Sequence, residues 1–136
     1  MITINDPTFT KDGTTYMLQL GTIERTTLGY EDHGIFMAWL MLEFDGSAQG
    51  AGGYVLDNPV GERGVNSRRE GTAYGMDHII QLLKVVGVEE WEALKGKHIY
   101  AIREESYGPI VGLAHFKKPT STYFFFKEHA NAWKDR

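Results

Sequence analysis

The chain has 136 residues, of which 42% are hydrophobic and 24% charged, and this balance predicts a single globular domain over residues 1–136. The formal net charge of -4 argues against broad binding to duplex DNA or an anionic membrane, and 0 Cys excludes disulfides and thiolate metal sites. No apolar run has the length of a membrane span or the layout of a signal peptide, so we expect a cytoplasmic protein.

The first half of the chain has the pattern of a three-stranded meander. Residues 1–15 form a polar, turn-like lead-in, and strands are expected between residues 16 and 56. Gly21 interrupts the first strand and indicates a bulge or a close backbone approach. The apolar run Ile35–Phe44 predicts a central strand buried on both faces, and Asp45-Gly46 is a strong hairpin signal before an extended segment at 54–56.

A helix follows the loop at residues 57–71. Ser67 and Glu70 match the Ser-x-x-Glu capping box, so the helix is expected to begin there or at Thr72. Its buried face is defined by apolar residues at helical spacing, and Gly87 is its stop signal.

The remaining segments complete an α+β pattern. A short second helix is predicted to end at Gly96, and a second hairpin is predicted to turn at residues 106–108. A short strand to Phe126 and a helix over 127–133 follow. The order predicts an antiparallel sheet of about five to six strands with two or three helices packed on one face.

Glu31, Asp32 and His33 form the first candidate site. Adjacent strand residues point to opposite faces, so only a turn could bring the three together. No H-x-x-x-H, H-E-x-x-H or Asp-x-Asp pattern supports a metal site. We interpret the segment as a polar turn that could line a binding surface.

The glycine-rich stretch at 46–54 does not match a phosphate loop. Its spacing is not G-x-x-x-x-G-K-[ST], and no helix follows it directly. The strand-turn-helix context of a dinucleotide-binding motif is also absent. Glycines within a strand instead favour a bulge or a close contact.

A candidate anion site lies at residues 66–75. Arg68 and Arg69 precede the expected helix start, where free backbone N–H groups and the helix dipole favour an anion. Arg63 adds a third charge, and Tyr74 could stack on a base. The simpler interpretation is a solvated loop.

Three stretches carry a family resemblance: LGYEDHGI at 28–35, GAGGYVLD at 50–57 and GTAYGMDHII at 71–80. They resemble a family of small accessory proteins that recurs in tailed-bacteriophage genomes, over about Thr22 to about Tyr100. The resemblance carries over no catalytic residues. By analogy of genomic class, it implies a protein that antagonises bacterial antiviral defence in the host cytoplasm, as an inhibitor of a CRISPR effector or as a binder of a cyclic nucleotide signal.

Our leading hypothesis is therefore a non-enzymatic binder without cofactor or metal, and it has two forms. A nucleotide-sequestering protein would bind phosphates and stack on bases. The predicted ligand-binding residues are Arg63, Arg68, Arg69 and Tyr74, together with Tyr54 and Trp39. A blocker of a host defence protein would present acidic side chains to a basic groove, from Glu31, Asp32, Glu89, Glu90 and Glu92. The apolar strand and many aromatic residues are also compatible with a homodimer.

Two alternatives remain open. Asp32 and His33 could serve a small metal-dependent hydrolase or nuclease. The basic and aromatic residues around Lys117, Lys118 and Lys127 could bind single strands in a replication accessory, although a core strand with solvated flanks explains them equally.

Overall fold

A computed structural model describes residues 7–32, 34–60 and 68–134, with residues 31 and 32 described by their backbone alone. Two helices and nine strands lie in these ranges. In chain order the elements are Thr8–Lys11 (β1), Thr14–Asp32 (β2), Ile35–Phe44 (β3), Ser47–Gly52 (β4), Asp57–Val60 (β5), Arg68–Gly71 (β6), Ala73–Val86 (α1), a 3₁₀ turn at Trp91–Ala93, His98–Arg103 (β7), Gly112–His115 (β8), Tyr123–Phe125 (β9) and Phe126–Lys134 (α2).

The fold is α+β, as the sequence predicts. Seven strands form one antiparallel sheet in the order β4-β3-β2-β7-β8-β9, with β1 paired to β2, and β5 and β6 form a separate two-stranded hairpin. The long strand β2 is the centre, because Met17 pairs with β1 on one side and with β7 on the other. None of the described helices is long and apolar enough to cross a membrane.

The main core lies between the sheet and α1. It includes Ile23, Leu40 and Leu113 from the sheet and Leu82 and Val85 from the helix, all buried. The opposite face of the sheet carries a smaller cluster around Phe9, Leu18 and Ile102.

Strand β3 is less enclosed than its apolar run predicts. Its alternate residues Ala38, Leu40 and Leu42 are buried in the main core, whereas Met37 and Trp39 on the other face are only half-buried. The prediction of burial on both faces was wrong, since the helices cover only one face of the sheet at β3.

Several element boundaries also differ from the prediction. The lead-in contains strand β1, because Asp12 and Gly13 turn the chain with φ of 51° and 83° and Phe9 alternates into the second cluster. Tyr54–Leu56 is not a strand, since β4 ends where Gly52 and Gly53 adopt φ of 133° and 88°. The second helix is reduced to the 3₁₀ turn.

The start of α1 distinguishes between the two predicted caps. Thr72 is the N-cap, and its hydroxyl accepts a 2.8 Å hydrogen bond from the backbone N–H of Gly75. Glu70 lies in strand β6, so the predicted capping box is not used; its partner Ser67 lies outside the described residues.

Candidate functional site: an aromatic and cationic cleft

An open cleft of about 530 Å³ lies between the start of α1, the segment after β4 and helix α2. This volume is within the range of small-molecule sites. The cleft combines aromatic rings, lysines and amides, and its lining consists of Tyr54, Val55, Asn58, Thr72, Tyr74, Lys127, Ala130, Asn131, Trp133 and Lys134.

The cap of α1 fixes one wall of the cleft. The Thr72 hydroxyl donates to the backbone carbonyl of Leu56 at 2.8 Å while it accepts from Gly75. A Cβ on Gly75 would lie 2.0 Å from the Leu56 carbonyl oxygen, so only glycine permits this approach. The segment that carries Tyr54 is therefore held against the helix that carries Tyr74.

Helix α2 supplies the opposite wall. Lys127, Ala130, Asn131 and Lys134 follow the i, i+3, i+4, i+7 spacing that places side chains on one face of a helix. Both lysines are exposed at the cleft. They give this part of an acidic chain a local positive charge.

Two histidines and an aspartate lie next to the cleft. His129 of α2 and Asp77 of α1 form a 2.7 Å contact between Nε2 and Oδ2. The His129 ring is 5.3 Å from Tyr74 and 6.0 Å from His78, measured between ring centroids. The Asp77 carboxylate also accepts a hydrogen bond from the side chain of Trp133. Asp77 therefore connects the lining of the cleft to the two histidines.

This cluster holds several buried polar atoms that have no hydrogen-bond partner in the part of the chain that the structure describes. They are the Tyr74 hydroxyl, both ring nitrogens of His78 and Nδ1 of His129. Burial, and then the proximity of His129, lower the pKa of His78 to about 4, against an opposing effect of Asp77, so His78 is neutral at pH 7. Burial raises the pKa of Tyr74 to about 12 and also raises that of Tyr54.

The chemistry of the cluster suits binding better than covalent catalysis. The Asp77 carboxylate accepts a hydrogen bond from Nε2 of His129, and this bond lowers the pKa of Asp77. Among the described residues, neither His78 nor His129 forms a hydrogen bond with a serine or threonine hydroxyl that could act as a nucleophile. Within the described ranges, no three His, Asp or Glu residues converge as metal ligands.

The structure brings together only part of the predicted ligand set. Tyr54 and Tyr74 line the same cleft, whereas Trp39 lies on the other face of the sheet, where its ring packs against Gly50 and Gly53. The contact explains the glycine-rich stretch, because a Cβ on Gly53 would lie 2.7 Å from the Trp39 ring.

The predicted arginines are also divided. Arg69 makes a two-pronged ion pair with the buried Asp57, with Nε–Oδ2 and Nη2–Oδ1 distances of 2.8 and 2.9 Å. Arg69 and the backbone N–H of Phe36 hold the pKa of Asp57 below its usual value against the effect of burial. Arg68 is exposed on β6, and Arg63 lies outside the described residues.

The acidic candidates belong to two separate regions. The 3₁₀ turn is surrounded by three exposed acidic residues, Glu89, Glu90 and Glu92. Backbone hydrogen bonds between Ile23 and residues 96–97 hold the end of this turn near the middle of β2. Residues 31 and 32 end β2 about 30 Å further along the strand. Their side chains, and His33, are outside the described residues, so the polar-turn hypothesis stays a prediction.

Sequence reasoning missed Lys127 as a cleft residue, and it missed Asp77, His129, Trp133 and Lys134 altogether. The spacing of the two lysines on α2 is the only local signal for any of them. A comparison of the chain with protein-family models, curated proteins and solved structures finds no match.

Proposed function

We propose that the protein is a non-enzymatic binder of nucleotides, and that the cleft is its binding site. The observation that carries this proposal is the convergence of Tyr54, Tyr74 and Trp133 with Lys127 and Lys134. Aromatic rings stack on bases with about 1–3 kcal/mol each, and lysines attract phosphate. The amides of Asn58 and Asn131 supply donors and acceptors for the edge of a base.

The biological role we propose joins this ligand class to the phage resemblance. A nucleotide binder produced in an infected bacterium would lower the free concentration of a cyclic nucleotide signal and so blunt antiviral defence. Sequestration requires affinity and abundance and no turnover. It is therefore consistent with a cluster in which no described hydroxyl forms a hydrogen bond with His78 or His129.

The test is thermal unfolding and calorimetric titration with 3′,5′-cyclic AMP, cyclic di-GMP and ATP. At least one of them should raise Tm by several degrees at millimolar concentration, because a ligand that binds only the folded state stabilises it. The double variant Lys127→Gln, Lys134→Gln should weaken binding about tenfold or more, through the loss of two charged hydrogen bonds.

The chain offers a matched control for the change in charge. Lys117 and Lys118 are exposed lysines outside the cleft, and their double glutamine variant should bind like the wild type. Arg68→Gln distinguishes binding in the cleft from binding at the anion site predicted for residues 66–75. It should weaken nucleotide binding only if the phosphate lies at β6. If none of the three nucleotides shifts Tm by more than about 1 °C, the proposal is wrong and a protein partner becomes the better hypothesis.

A further inference from the structure

Arg103, the last residue of β7, is a buried cation that does not line the cleft. Its side chain is only 3% exposed, and its guanidinium lies over the Phe44 ring at 5.3 Å. An arginine does not lose its proton in a protein, so this charge must be compensated where it lies. None of the ion pairs among the described residues includes Arg103.

The described residues that accept hydrogen bonds from Arg103 are all neutral. Nε donates to Gln19 Oε1 at 3.2 Å, and Nη1 donates to Gln49 Oε1 at 2.7 Å and to the carbonyl of Gly108. A guanidinium has five N–H donors, so these three bonds use Nε and Nη1. No described residue accepts a hydrogen bond from Nη2.

A cavity of about 490 Å³ is lined in part by Arg103. It lies between the β3–β4 turn and the turn after β7, and it is lined by Gln19, Asp45, Gly46, Ser47, Ala48, Gln49, Arg103 and Tyr107. Ser47 and Tyr107 are exposed and bring hydroxyl groups to the same space. A built anion site needs a fixed cation with free donors and room for the ligand, and both are present here.

Asp45 limits the charge of the ligand. It also lines the cavity, yet it forms no ion pair with Arg103. A second negative charge on a ligand would be repelled by this carboxylate, whereas a single charge is balanced by Arg103. We propose that the cavity is a binding site for a small singly charged carboxylate, which accepts hydrogen bonds from Arg103 Nη2.

The experiment is an NMR titration of the ¹⁵N-labelled full chain at pH 7 and fixed ionic strength. The probes are acetate, glycine and sulfate, which carries two negative charges at pH 7, and the reporters are the Arg103 Nε–Hε signal and the amides of Gly46 and Ser47. Acetate or glycine should give saturable shifts at lower concentration than sulfate. Tighter binding of glycine than of acetate would mean that Asp45 also holds the ammonium group.

Two substitutions test the roles of the charges. Arg103→Lys keeps the charge and loses the planar fork, and it should weaken carboxylate binding at least tenfold. Asp45→Asn keeps the hairpin, because Asn-Gly favours the same turn as Asp-Gly, and it should strengthen acetate binding about two- to fivefold. This second variant keeps the test valid if the lysine variant fails to fold.

Three results would overturn the proposal. The first is the absence of saturable shifts with acetate and glycine in the wild type. The second is sulfate binding as tight as that of acetate, and the third is unchanged acetate binding in a folded Arg103→Lys protein.

Discussion

Replacement of the buried His78 should change how the stability of the protein depends on pH. His78 is 1% exposed, and neither ring nitrogen has a hydrogen-bond partner within residues 7–32, 34–60 and 68–134. The substitution His78→Leu removes the titratable ring and keeps an apolar side chain of similar size. Because an unbonded buried polar group contributes little at pH 7, this variant should be within about 1.5 kcal/mol of wild type at that pH.

The magnitude follows from the pKa of His78, which burial lowers from 6.5 to about 4. The unfolded chain then binds a proton below pH 6.5 that the folded chain does not bind until about pH 4. Folded-state stability is therefore intact above pH 6.5 and falls as the pH decreases through this window. One pKa unit corresponds to 1.36 kcal/mol, so the wild type loses about 2 kcal/mol between pH 7 and pH 5 through this group.

The assay is urea denaturation of wild type and variant at pH 7, 6 and 5, followed by tryptophan fluorescence. The free energy of unfolding of His78→Leu should gain about 2 kcal/mol relative to wild type over this range. Phe126→Leu is the matched control, because Phe126 is a buried ring in the same cluster that does not titrate. A variant that follows the wild type at all three pH values would refute the reasoning.

Two further predictions concern the walls of the cleft and the ion pair beside it. Gly75→Ala should destabilise the protein by about 3 kcal/mol or prevent folding, because its Cβ has no room. In Gly71→Ala the new Cβ meets no atom of the described residues within 4 Å, so this variant should be nearly neutral in urea denaturation. Arg69→Gln leaves the Asp57 carboxylate buried without its cation and should lower Tm by about 10 °C, whereas Arg68→Gln should lower it by less than about 2 °C in the same scan. A stable Arg69→Gln protein would mean that the fold does not require Arg69, and Arg69 would again be a candidate ligand residue.

Local patterns predicted the fold class and most of the sheet. Alternation, the Asp45-Gly46 turn and the helical spacing before Gly87 each act over a few residues, and the strand, the hairpin turn and the helix they predict are present. The extended segment predicted at 54–56 is the exception, because β4 already ends at Gly52. The missed strand β1 has the same signal, an Asp12-Gly13 turn, but the polar character of its flanks hid it.

The errors arise where distant residues decide the local structure. The ion pair with Asp57 helps to hold residues 68–71 extended, which overrides the capping box signal of Glu70. The pair of Asp77 and His129 joins residues 52 positions apart, and no local pattern encodes such a contact. Arg69 was predicted as a ligand residue from its position before the helix, and Trp39 from its residue type. Neither signal reveals that Asp57 already pairs with Arg69 or that Gly50 and Gly53 pack against Trp39.

The central position of β2 has a consequence for the rate of folding. This strand pairs with β3 through a tight connection, but its other edge pairs with β7, so that Thr22 lies opposite His98. The long segment between β2 and β7 must be closed into a loop before the two strands can pair. The loss of loop entropy therefore precedes the gain in contacts. We therefore expect the β2–β3–β4 meander to form early and the closure of β7 onto β2 to limit the rate, with folding on the millisecond-to-second scale of proteins rich in non-local strand pairs.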